Sequence, residues 1–255
     1  MFDIEKVGEK IAVISNSTRY KRKNKIYLNK EKLTGEDAIK ESDLLHIEAG
    51  EIMLSPDKDV ERTTMYVCGS AGSGKSYFVA QYCEQYHTTF KNNPIFLVSE
   101  NDEDPAFDKK DYIKRIDITD IHENPIDWKE FNDCLVVFDD IDSIKGKNGK
   151  TIDDLRDKLL KNSRKAKVSV ISTSHDACGI KLKSVLNESK IIVFFLMNYN
   201  RSLKYLLENY LGLEKKAIEN LKKTTGDSRW TAFVKSYPSY LVEQKMISTI
   251  PRYEE

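Results

Sequence analysis

The chain of 255 residues lacks a long apolar run. No stretch approaches the roughly 18 residues that a membrane-spanning helix requires. It also lacks net charge, because 41 Lys and Arg residues are matched by 41 Asp and Glu. That balance excludes a histone-like coat on nucleic acid, while leaving room for local basic surfaces. Cysteine is scarce, with four residues, and none has CxxC spacing. Cys68, Cys83 and Cys134 fall in apolar segments, so neither a disulfide framework nor a zinc site is expected. The first residues, Met1 to Lys6, lack the basic-then-apolar order of a signal peptide, which predicts folding in a reducing compartment. No internal repeat or low-complexity tract is present.

What is present is a chain with enough length for a sizeable core. Apolar runs recur at Cys134–Phe138 and Ile191–Leu196, which excludes wholesale disorder. The first sixty residues read as a separate β-rich segment (1–60), with strands at Lys10–Ser15 and Lys25–Leu28 joined by a basic turn, Arg19–Asn24. Residues Glu36–Glu41 predict one or two helical turns. From 61 to 200 the pattern alternates. Strands are expected at Thr64–Cys68, Ile95–Ser99, Tyr112–Ile116, Leu135–Phe138, Val168–Ser172 and Ile191–Leu196. Helices are expected at Lys75–His87 and Ile152–Lys161. Short apolar strands bounded by helices predict a parallel sheet covered on both faces. The tail, 201–255, predicts helices at Ser202–Tyr210 and Glu214–Lys222, then strands at Trp230–Val234 and near Tyr240. Trp230 and Phe233 have strand spacing and are expected in the core rather than stacked on bases.

The most specific signal is Gly69-Ser70-Ala71-Gly72-Ser73-Gly74-Lys75-Ser76. It satisfies GxxxxGK followed by Ser or Thr, after an apolar strand and before a helical pattern. Glycines let backbone N–H groups converge on phosphate oxygens, and the helix N-terminus adds a positive dipole end. The nucleotide-binding set is therefore Gly69 through Ser76 with Tyr77. Lys75 is expected on the β- and γ-phosphates, and Ser76 on Mg²⁺. The partner acids follow a buried strand: Asp139 is expected to hold the magnesium through water, and Asp140 to polarise the attacking water. A guanine-reading NKxD after a strand is missing, so ATP is the expected nucleotide. The next strand ends at Thr173-Ser174-His175, where Thr173 and His175 are candidates to read the γ-phosphate. The acidic loop Glu100–Asp104 reads as a solvated turn.

Two stretches are locally basic. Lys145 to Lys167 carries nine Lys and Arg residues against Asp153, Asp154 and Asp157, and Lys145–Lys150 reads as a flexible loop tip. In a ring of subunits such a connection can face a central channel and touch a DNA backbone. Ring ATPases often complete the site with an arginine from a neighbour. Arg156, Arg164, Arg201 and Arg229 are candidates, with Arg164 preferred because it lies just ahead of the sensing strand.

Several segments together resemble one family. They are the strand–GSAGSGKS–helix unit, Phe96–Pro105, Val136–Ile141, Ser163-Arg164 to His175, Ile191–Phe195, Tyr210-Leu-Gly-Leu213, Asp227-Ser-Arg-Trp230 and Tyr237-Pro238. In this combination, over about Val60 to Ile250, the chain resembles the genome-packaging ATPases of double-jelly-roll DNA viruses, including giant viruses and virophages. These belong to the FtsK/HerA-like group of P-loop motors. The phosphate motif is common to many families, whereas SRW after the YLGL helix pair is more particular to this one.

The resemblance implies an α/β fold with a P-loop NTPase core. Its central, mostly parallel sheet carries helices on both faces, with a small N-terminal β-rich layer and an α+β C-terminal tail. It implies that the Val168 strand separates the loop strand from the Asp139 strand. It further implies a homo-oligomeric ring, pentameric or hexameric, that uses ATP and Mg²⁺ to move double-stranded DNA into a capsid at its vertex. The host cytoplasm or the virion is the implied location. Lys75, Ser76, Asp139 and Asp140 map onto the family's motif. One departure is that related motors commonly carry Glu where this chain has Asp140, one methylene shorter; Asp142 is the fallback. Two other readings stand beside this one: an AAA+-type remodeller, which requires a helical region after Gly226, and a nucleotide-gated assembly module with little turnover.

Overall fold

The computed structural model describes residues 2–4, 8–17, 19, 24–29, 44–224 and 228–250. The expected turns at Glu36–Glu41, residues 20–23 of the basic turn and Gly226-Asp227 lie outside these residues.

Alternating apolar residues first build a small antiparallel sheet from β1 (Phe2–Asp3), β2 (Glu9–Ser15) and β3 (Lys25–Leu28). β4 (Leu44–His46) goes to a different sheet, and β5 (Glu51–Leu54) completes the small one in the order β1-β3-β2-β5. Ile26 and Leu28 on β3, and Ile52 and Leu54 on β5, turn inward at period two.

The rest of the chain alternates strands and helices. β6 (Thr64–Cys68) leads into α1 (Lys75–Thr89), followed by β7 (Ile95–Ser99), β8 (Ile113–Ile116) and α2 (Ile118–Glu123). Next come β9 (Leu135–Asp139), α3 (Gly146–Asn162), β10 (Ser169–Ser174), α4 (Lys183–Glu188) and β11 (Ile191–Phe194). α5 (Arg201–Tyr205) and α6 (Lys215–Thr224) precede β12 (Thr231–Val234), β13 (Tyr240–Glu243) and β14 (Met246–Thr249). These strands and β4 form one ten-stranded sheet in the order β4-β14-β13-β12-β11-β6-β10-β9-β7-β8. The block from β11 to β8 is parallel, and β12, β13, β14 and β4 extend it antiparallel. The expected separation is present: β10, the Val168 strand, lies between β6 and β9.

β6, β9 and β10 are buried at every position, because both faces are covered. On one face α1 and the small sheet share a core with Met65, Val67, Leu97, Val137 and Ile171. Trp230 joins this core, its ring edge-on to Phe78 at 4.9 Å between centroids. On the other face Leu155, Leu159, Leu186, Leu206 and Leu207 from the helical side cover Tyr66, Val136, Phe138, Val170 and Phe233. Trp230 and Phe233 are thus core residues, as expected. All four cysteines are free, and burial pushes the thiols of Cys68, Cys83 and Cys134 up to about 12.

Three local expectations are corrected. Lys145–Lys150 is not a loop tip, because α3 begins at Gly146. Gly149 is there for contact rather than flexibility: a Cβ on it would sit 2.2 Å from the Ile144 carbonyl oxygen. The expected helix at Ser202–Tyr210 is an α turn followed by a π-helical turn, Leu206–Tyr210. The strand expected to reach Leu196 stops at Phe194, and a 3-10 turn covers Leu196–Asn198.

One buried group is out of balance. Glu243 on β13 faces Thr231 in register, and its Oε1 has no hydrogen-bond partner. Burial pushes its carboxyl from 4.5 up to about 7, against a hydrogen bond with Thr231 that favours the charged form. Between these values the unfolded chain has lost a proton that the folded chain keeps, so stability falls as pH rises through this window. Glu243→Gln is therefore expected to raise the melting temperature at pH 8 and to change it little at pH 4. A lower melting temperature at pH 8 would contradict this reading.

Candidate nucleotide site

The loop forms because β6 ends deep in the sheet and must turn at once into α1. The Gly69 N–H donates to the Ser174 carbonyl at 3.1 Å, tying the loop to the end of β10. Gly72 (φ +74°) and Gly74 (φ +106°) occupy the left-handed region that side chains disfavour. The ring of Phe195, just past β11, lies under the loop. A Cβ on Gly69 would be 2.8 Å from that ring. Ser70, Ala71 and Gly72 are exposed, as is Tyr77, and Ser76 is half-buried. Neither a capping side chain nor a first-turn acid takes the leading amides of α1. They are available to an anion, with the helix dipole behind them.

Lys75 is 5% exposed. Its ammonium donates to the Gly69 carbonyl at 3.0 Å, meets His175 Nδ1 at 3.3 Å and lies 3.5 Å from Asp140 Oδ2. His175 Nε2 lies 3.2 Å from the same Asp140 oxygen. An ammonium has no lone pair, so Nδ1 accepts from Lys75, and Nε2 carries the ring proton and donates to Asp140. The three residues form a closed clasp.

The acids are set by β9 and β10 together. Asp140 stands at φ +47°, a left-handed position directly after β9. Its N–H donates to Thr173 Oγ1 at 2.8 Å. The single Thr173 hydroxyl proton is within reach of Asp139 Oδ1 (2.9 Å) and Asp140 Oδ1 (3.1 Å). Thr173 therefore holds both acids, a role the sequence did not suggest, while His175 is the residue that reaches into the loop. Asp139 is 1% exposed and makes no ion pair among the described residues. Burial first, then the Asp140 charge, pushes its carboxyl up to about 6. A buried carboxylate without a cation suits a divalent ion, which restores the charged form. No group of three or more His, Cys, Asp and Glu side chains among the described residues suits a metal. Mg²⁺ would thus be held by Asp139, the Ser76 hydroxyl and ligand oxygens.

The other candidates are scattered. Asp142 is exposed in the 3-10 turn Ile141–Ser143. Arg156 is buried between Asp153 (3.0 Å) and Asp157 (3.2 Å). Arg164 is 73% exposed and paired with Glu61, just before β6, on the sheet edge opposite the loop. From there it does not reach the loop of its own chain. Arg201 and Arg229 are exposed on the loop edge, one opening α5 after β11 and the other preceding β12. Sequence reasoning also missed Phe195 beneath the loop, for which the Phe194-Phe195 pair at a strand end was the available signal.

No known family profile matches the chain. An uncharacterized protein, V3, of Sputnik virophage is 30% identical over 230 residues, covering 89% of this chain and 90% of that protein. The chain belongs to the family of this virophage protein. Among solved structures, the cytoplasmic domain of the Thermomonospora curvata type VII secretion ATPase EccC superposes with a TM-score of 0.51 at 11% identity, covering 80% of this chain and 28% of that one. The genome packaging NTPase B204 of Sulfolobus turreted icosahedral virus 2, solved with ATP-gammaS, gives a TM-score of 0.45 at 16% identity, over 76% of this chain and 99% of that one. The fold is that of the P-loop NTPases.

The clasp sets a competition between Asp140 and any incoming anion for Lys75. Asp140→Asn is expected to tighten binding of a fluorescent ATP analogue a few-fold by removing the competing charge. Weaker binding by this variant would show that Asp140 does not compete for Lys75.

Proposed function

We propose that the chain is an ATPase that couples hydrolysis to movement of double-stranded DNA into a viral capsid. The observation that carries the hydrolytic reading is the clasp. It unites the loop lysine, the acid after β9 and the imidazole after β10 on one sheet edge. Loop amides and the α1 N-terminus receive the phosphates, and Lys75 exchanges Asp140 for phosphate oxygens. Asp139 and Ser76 would hold Mg²⁺, which would supply positive charge against the phosphates. Asp140, released from Lys75 and still held by Thr173 and His175, polarises the attacking water.

DNA movement is supported by the sequence resemblance, the viral relative and an exposed basic face. Lys145, Lys147, Lys150, Lys158, Lys161, Lys165 and Lys167 are exposed on or beside α3. Such side chains meet phosphates rather than base edges, so tracking is independent of sequence. In this reading a homo-oligomeric ring, pentameric or hexameric, works at a capsid vertex, in the host cytoplasm or on the virion, and a neighbour's arginine completes each site. The remodeller reading is weaker, because β12, β13 and β14 occupy the region it requires to be helical.

ATP turnover with and without double-stranded DNA tests the proposal. Lys75→Ala is expected to lower turnover at least about 100-fold, and DNA to raise the wild-type rate several-fold. ATP binding with negligible turnover, indifferent to DNA and to assembled capsids, would favour the assembly-module reading instead.

A further inference from the structure

The acidic loop has an account in the structure, and one of its residues stands apart. Asp104 serves the loop itself: its carboxylate accepts from the Ala106 N–H at 2.8 Å, and its own N–H donates to Asp108 at 2.6 Å. Arg115 binds the Asn101 carbonyl at 2.6 Å and Asp108 at 2.8 Å. These contacts fix the chain that follows β7 without involving the Glu100 side chain.

Glu100 is placed by the sheet. β7 runs parallel to β9 with Ser99 opposite Asp139. Neighbouring strands lie about 4.8 Å apart, so Glu100 comes level with Asp140 on the same edge. The Ser143 hydroxyl joins the two positions: it lies 3.0 Å from the Asp140 carbonyl oxygen and bonds to Glu100 Oε2. The two carboxylates differ in what they already hold. That of Asp140, once Lys75 has turned to phosphate, still meets His175 and the Thr173 hydroxyl. That of Glu100 is exposed, and among the described residues Ser143 is its hydrogen-bond partner. A base needs a free lone pair aimed at water, and a carboxylate that already accepts hydrogen bonds has fewer to offer. Glu100 also has the methylene that Asp140 lacks.

We propose that Glu100 is a second catalytic carboxylate, which takes the proton of the attacking water while Asp140 orients that water. The inference rests on the hydrolytic reading above. The water oxygen bonds to the γ-phosphorus, and the bond to the β–γ bridging oxygen breaks. ADP leaves with that electron pair, and the water proton passes to the Glu100 carboxylate and then to solvent.

The test uses full-length protein with Mg·ATP. Turnover and binding of a fluorescent ATP analogue are measured for wild type, Glu100→Gln, Ser143→Ala and the Lys75→Ala blank. Glu100→Gln is expected to lower kcat about 100-fold with Kd within twofold of wild type. Ser143→Ala, which releases the anchor but keeps the carboxylate, is expected to lower kcat several-fold, also with Kd unchanged. Turnover of Glu100→Gln within twofold of wild type would overturn the proposal and leave the ATPase reading intact. Loss of binding along with turnover would mark Glu100 as structural and overturn it too. Wild-type turnover no higher than the Lys75→Ala blank would remove the hydrolytic reading and this inference together.

Discussion

The structure of the site depends on a lysine charge that has little water around it. Lys75 is 5% exposed at the start of a helix whose dipole repels it. Leaving such a charge unpaired costs several kcal/mol. The Gly69 carbonyl, His175 and Asp140 compensate it. Each comes from a different segment, so their meeting requires β6, β10 and β9 to lie side by side and end level. Phosphate oxygens can replace Asp140 without stripping the lysine of partners, because the exchange trades one anion for another. The clasp therefore holds the site together and identifies the kind of ligand that opens it.

β10 is the structural intermediary. Its Ser174 carbonyl receives the loop's Gly69 N–H, its Thr173 hydroxyl serves both acids, and His175 follows directly. At the other end of the strand, Arg62 caps α3 by donating to the Leu159 and Leu160 carbonyls at 3.0 and 2.6 Å. The acids reach α3 through the 3-10 turn Ile141–Ser143 and two further residues, and α3 carries Lys147, Lys150, Lys158 and Lys161 of the basic face. In the proposed motor, a shift at the acids has a short covalent path to the basic face.

Much of this was legible in the sequence because period and composition act locally. The Val, Ile and Phe runs of β6, β7, β9, β10 and β11 announced a parallel sheet, and the glycine spacing announced the loop. What escaped depends on neighbours distant in sequence. Thr173 is read from the sequence as a candidate phosphate reader, and nothing in its own segment shows that Asp139 lies beside it. Glu100 was hidden in an acidic stretch, since only the β7–β9 register brings it level with Asp140. Arg164, the arginine that the sequence favours for a neighbour's site, precedes the sensing strand. A strand of six residues spans about 20 Å, so preceding it means lying at the far edge of the sheet. Gly149 suggested a flexible tip, whereas the Ile144 carbonyl packs against it inside a helix. β14 and β4 close the sheet's antiparallel end through pairing across some two hundred residues, which no local pattern records.

The central claim is that Lys75 is shared between Asp140 and phosphate. A structure of the protein with Mg²⁺ and a non-hydrolysable ATP analogue tests it most directly. The account predicts the Lys75 ammonium on β- and γ-phosphate oxygens, its contact with Asp140 broken, and Thr173 still bonded to the acids. An analogue bound away from the loop, or bound in the loop with Lys75 still paired to Asp140, would contradict it.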